Sequence, residues 1–164
     1  MLKSTRRDVR ALLDRQRVLT LAVLVDGAPY AALLPFAPLA DRSGTIVHAS
    51  SLARHARGLV PNANVSVLLH ESDAPDRDPL QLPRVTLDSR VVPLERGTER
   101  WHEARRRYLA RFPGSAVTFE LGDFTLHCLL FESGLYVAGF GRAIALPLED
   151  VQRLRGDDDG ASED

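Results

Sequence analysis

Apolar and β-branched residues fill Val18 to Val25 without a break, and Asp26-Gly27 then closes the run with a dipeptide that tolerates positive φ at a tight turn. The pattern predicts a β-hairpin whose second arm is Ala28 to Phe36. That arm is apolar at odd and even positions alike, so one face can fill a core while the other wants a partner. Upstream, Val9, Leu12 and Leu13 recur at helical spacing among arginines, which predicts a helix capped by Ser4 or Thr5 and ending near Gln16. Downstream, Thr45 to Ala49 and Val65 to Leu69 read as strands. Between them Ser50-Ser51 offers a cap for a short helix from Leu52 to Leu59, stopped by Pro61-Asn62.

The acidic segment from Glu71 to Pro79 has no periodicity. Val85, Leu87, Val91, Val92 and Leu94 mark a long fifth strand. Arg100 to Arg111 reads as a helix with Trp101, Ala104, Tyr108 and Leu109 on one stripe, a packing face rather than a cofactor box. Phe124 to Leu130 is a further strand, and Ser133-Gly134 reads as the turn of a last hairpin whose second arm is Leu135 to Leu146. Leu148 to Leu154 suits one more helical segment. Six or so strands joined mostly by short turns predict a mainly β fold, an antiparallel β-barrel with peripheral helices. One domain spans residues 1–155. The segment 156–164 is small and acidic, a composition that cannot bury a core, and is expected to be a disordered tail. The two-faced strands add an isologous homodimer.

At 164 residues the chain can bury a core without metal or disulfide staples. Lys and Arg number 21 against 22 Asp and Glu, so no phosphate-backbone footprint is expected and nucleic acid is a poor partner. Cys128 is the only cysteine, which excludes an internal disulfide or a multi-cysteine zinc site. The charged N-terminus and the lack of any long apolar run predict no signal peptide and no membrane span, hence a cytoplasmic location.

Chemistry concentrates between Val47 and Arg57, where a strand gives way to a turn bearing His48, Ser50, Ser51, Arg54, His55 and Arg57. Free N–H groups, two hydroxyls and a bidentate guanidinium suit a phosphate monoester. The alternative is that Ser50 only caps and the basic groups face solvent. Of the five histidines, His48 and His55 flank this corner. His70, His102 and His127 read as surface or satisfied side chains, and Cys128 as a small buried hydrophobe. No nucleophile triad, Walker loop or dinucleotide fingerprint occurs. Glu99, Glu103, Asp123 and Glu149 read as a solvated face.

The order of these features resembles the pyridoxamine 5'-phosphate oxidase-related, FMN-binding split barrels. The resemblance rests on the Asp26-Gly27 hairpin, Pro35-Phe36, the Ser-x-x-Arg-His turn, Pro83 to Leu87, Arg107 to Leu109, Phe112-Pro113 and Ala138 to Arg142. Gly122 to Phe124 followed by Gly139 to Arg142 is most similar to the branch associated with haem utilisation. The resemblance implies that Arg54 and His55 stand where an Arg-Lys pair grips the FMN phosphate, and His48 where a tyrosine often sits. It also implies Arg84 near the isoalloxazine and Arg142 as a contact from the opposite subunit, with bracing of the dimer as the alternative for either. Ala32, Ala37 and Ala49 depart from the pattern, replacing an arginine, a lysine and a threonine of the phosphate and ribityl site. Three functions follow as expectations: an FMN-dependent oxidoreductase, a haem-binding or haem-handling protein with His48 or His55 on iron, and a dimeric small-molecule binding module without cofactor.

Overall fold

In the computed structural model, which describes residues 1–155, the first hairpin forms as its turn chemistry demands. Asp26 and Gly27 both take positive φ, 54° and 77°, as a tight two-residue turn requires. They join β1 (Val18–Val25) to β2 (Ala28–Pro38) in unbroken antiparallel register from Val18↔Pro35 to Val25↔Ala28. Then follow β3 (Gly44–Ser50), β4 (Asn64–His70), β5 (Arg84–Pro93), β6 (Phe124–Val137) and the short β7 (Ala143–Leu146).

Six strands close on themselves in the order β1-β2-β3-β6-β5-β4, because β3 pairs with β6 while β4 pairs back to β1. The 14-residue β6 serves two neighbours along one edge, β3 on its first half and β7 on its second. The mainly β barrel with peripheral helices is as expected, but its last hairpin lies elsewhere. Ser133-Gly134 is not a turn: Glu132 bulges out of register with β5, and β6 runs on to Val137. Gly134 is needed there for another reason, since a Cβ would sit 2.7 Å from the Thr86 carbonyl oxygen. The chain reverses instead at Gly139 (φ 144°) and Gly141 (φ 73°).

Inward-facing Leu21, Val47, Val67, Leu87 and Leu129 fill the barrel. Helix α1 (Lys3–Arg15) adds Val9, Leu12 and Leu13 to the same core. Its first turn has no side-chain cap: Leu2 occupies the cap position, and Thr5 is buried rather than capping. A second core lies outside the barrel wall, where Ala37, Ile46, Leu126 and Cys128 are covered by α2 (Glu99–Arg111) and the 3₁₀ segment Pro113–Phe119. Ala104 and Tyr108 come from the predicted packing stripe, and Thr98 caps α2 by accepting from the Trp101 N–H at 3.2 Å. A short α3 (Leu148–Gln152) follows β7. Among the described residues no helix is long and apolar enough to cross a membrane. The acidic segment 156–164 lies outside the described residues.

Candidate functional site

The corner after β3 differs from the expected capped helix. Only Arg54–Gly58 is helical, as a five-residue 3₁₀ segment whose entry at Ala53 has no side-chain cap. The Ser50 hydroxyl is engaged twice: it donates to the Asp123 carboxylate at 2.5 Å and accepts the Leu52 N–H at 3.1 Å. The Ser51 N–H donates to the Asp123 carbonyl at 2.7 Å. Asp123, read from sequence as a solvated carboxylate, therefore holds the very groups expected to receive a phosphate. Arg54 is exposed and lies 4.8 Å over the Tyr30 ring, and Arg57 pairs with Asp26. Ala32 is half-buried two residues along the same strand face as Tyr30, whereas Ala37 and Ala49 are sealed in packing.

His48 and His55 do not share a pocket. The His48 side chain leaves the outer wall of β3 and stacks on Phe119 at 4.0 Å, with Tyr108 and Phe124 alongside and Nδ1 bonded to the Thr118 hydroxyl at 3.1 Å. Desolvation there, reinforced by His127 and Arg96, pushes its pKa down to about 4. His55 belongs to the 3₁₀ segment, with Nε2 buried and unpaired. His127, on the barrel-facing side of β6, is 5% exposed, and burial likewise brings it to about 4. Its Nδ1 is also without a partner, and burial lowers His55 too. Both rings behave as neutral packing groups. Cys128 is buried, its thiol pushed up to about 11 by desolvation. Among the described residues no group of three or more His, Cys, Asp or Glu side chains is arranged to hold a metal ion.

Arg84 and Arg142 sit at the opposite end of the barrel. The corner precedes the start of β4 at Asn64, whereas Arg84 pairs with His70 at the far end of this seven-residue strand, roughly 20 Å away. Arg84 Nη1 donates to the Leu82 carbonyl at 3.0 Å, which fixes its root on the outer sheet face. Arg142 belongs to the β6–β7 turn, where its carbonyl accepts the Ala138 N–H at 3.0 Å. It lines a cleft of about 720 Å³ together with Arg7, Arg15, Glu71 and Tyr136. One chain thus gathers two basic clusters at two ends. Sequence reasoning found most of the members but missed Asp123 and Tyr30, which hydrogen bonding and ring stacking alone reveal.

Comparison with known proteins fits this architecture. The chain is 30% identical over 147 residues to the haem oxygenase HutZ of Vibrio cholerae, covering 88% of this chain and 82% of HutZ. The solved structure of HutZ, described as a haem storage protein, superposes with a TM-score of 0.70 over 82% of this chain and 95% of that one. A haem-binding protein from Mycobacterium smegmatis gives a TM-score of 0.80 at 24% identity, over 93% of this chain but 62% of that longer one, a likeness of fold alone. The pyridoxamine 5'-phosphate oxidase family model matches residues 5–137. With its split barrel and this match over most of its length, the chain belongs to the pyridoxamine 5'-phosphate oxidase family.

Proposed function

We propose that this chain is a haem-binding protein of the haem-utilisation kind, working as a homodimer whose partner brings the two basic ends together. The observation that carries the choice of haem over FMN is the Asp123 carboxylate on Ser50. A phosphate dianion entering that corner meets a fixed negative charge and a hydroxyl already committed, and Ala32 and Ala37 supply no compensating cation. The FMN-dependent oxidoreductase reading keeps Arg54, exposed over Tyr30, and the exposed Ser51 hydroxyl as phosphate contacts at this corner, with His55 half-buried beside them.

The residues present suit a porphyrin better. Outward positions of β1 and β2 form an apolar face that includes Leu24 (61% exposed), Leu33 (68% exposed), Ala22, Ala31 and Pro35. Such a surface is what a flat apolar macrocycle and a second copy of the chain both seek. In this reading Arg84, on the same outer face, and Arg142 would meet the propionates. Haem, when bound, supplies the iron and the oxygen chemistry for which the relative HutZ is named. The chain's own residues orient it and exclude water.

Separate absorption titrations with haemin and with FMN test the proposal. Haemin is expected to give a saturable Soret band near one equivalent per chain, and FMN no retained complex after gel filtration. Asp123→Asn keeps an acceptor for Ser50 while removing the charge, and is expected to raise FMN affinity above wild type. Retention of FMN by the wild type, with no spectral response to haemin, overturns the proposal.

A further inference from the structure

Along α2, Arg100, Glu103, Ala104 and Arg107 recur at i, i+3, i+4 and i+7, so they share one helix face. Between this face, the outward residues Cys128 and Leu130 of β6 and the turn that joins β2 to β3 lies a cleft of about 570 Å³. That volume falls within the roughly 300–1,000 Å³ of small-molecule sites. Its floor is apolar: Leu39 and Leu130 are half-buried, and Ala104 and Cys128 are buried.

Most charges of the rim are already matched. Asp41 accepts from the Ser43 hydroxyl at 2.6 Å and the Ser43 N–H at 3.0 Å, and lies 3.9 Å from Arg155. Glu103 pairs with Arg106, and Arg107 donates through Nε to the Pro38 carbonyl at 3.1 Å. Glu99 belongs to the first turn of α2, where the helix dipole offsets its charge. Arg100 is different. It is exposed and has no hydrogen-bond or ion-pair partner among the described residues. Its charge still reaches the floor: burial raises the pKa of the Cys128 thiol, and Arg100 partly opposes that. Four arginines against three carboxylates leave the cleft one net positive charge.

We infer that this cleft binds a small monocarboxylate with an apolar body, which lies on Leu39, Ala104, Cys128 and Leu130 while its carboxylate takes two N–H groups from the Arg100 fork. A dianion would bring a second charge against Glu99 and Glu103, and a neutral molecule would leave Arg100 unanswered. The site uses none of the residues assigned above to haem or to the dimer face, so it stands or falls independently of them.

Calorimetric titration of the full chain with octanoate tests the site, with the fluorescence of Trp101, the only tryptophan and the neighbour of Arg100, as a second signal. Octanoate is expected to bind saturably at one per chain, the alcohol of the same chain length at least about tenfold more weakly, and acetate not at all, because charge and body are both required. Arg100→Ala, at an exposed position, should weaken octanoate by about tenfold or more, the weight of one charge-assisted hydrogen bond, and leave the affinity for the alcohol unchanged. Leu130→Trp should fill the floor and weaken both ligands. Arg100→Ala is expected to match wild type in thermal unfolding and in haemin titration. Octanoate affinity unchanged by Arg100→Ala, equal affinity for octanoate and the alcohol, or no binding of octanoate overturns the inference. Failure of the wild type to bind haemin overturns the haem reading alone.

Discussion

Acidification should weaken this fold well before its carboxylates titrate. His48 and His127 are held at about 4 by burial, against an ordinary value of 6.5 in the unfolded chain. Below that ordinary value the unfolded state binds protons that the folded state refuses, so stability falls as pH drops from about 6.5 towards 4. For one such histidine the loss between pH 8 and pH 5 is about 2 kcal/mol, and for two about 4 kcal/mol, with His55 acting in the same direction. Against a typical domain stability of about 5–15 kcal/mol this is large. Urea unfolding followed by tryptophan fluorescence at pH 8 and pH 5, at one protein concentration because the stability of the proposed dimer would depend on it, measures the difference. His48→Phe keeps the stack on Phe119 and removes one titrating group, so its pH dependence should be smaller by about 2 kcal/mol. Equal stability at the two pH values, or a His48→Phe profile with the wild-type slope, would refute the reasoning.

Two further perturbations probe packing and assembly. A Cβ at Gly58 would lie 2.3 Å from Val23 Cγ2 and 2.4 Å from the Leu24 carbonyl oxygen, so Gly58→Ala should push the 3₁₀ corner off β1 at a cost of about 1–3 kcal/mol. Gly114→Ala, with nothing within 4 Å, should be within about 1 kcal/mol of wild type, and chemical denaturation of the pair decides it. Leu33→Glu places a charge in the exposed apolar face and should convert the proposed dimer to a folded monomer in sedimentation equilibrium at micromolar concentration. A Leu33→Glu protein that sediments as wild type removes this face from the interface.

Hydrophobic periodicity made the barrel legible because each strand's neighbours are set by pattern and turn chemistry. Asp26-Gly27 shows it, since both residues adopt the positive φ their identity favours. Ser133-Gly134 misleads for an equally physical reason: glycine serves a close backbone approach as well as a turn, and Gly134 is crowded by Thr86 rather than bent. The corner after β3 was legible as basic, but not as occupied. Asp123 lies 73 residues from Ser50 in sequence, and only the pairing of β3 with β6 brings them together. His48 and His55 are close in sequence yet diverge, because a strand residue and an end-capping turn face different cores.

The most direct measurement is mass spectrometry of the protein purified without added cofactor, under native conditions and then after denaturation. The account predicts a dimer that carries haem, released on denaturation, with no FMN. A monomer, or a dimer releasing FMN and unable to take up haem, would contradict it.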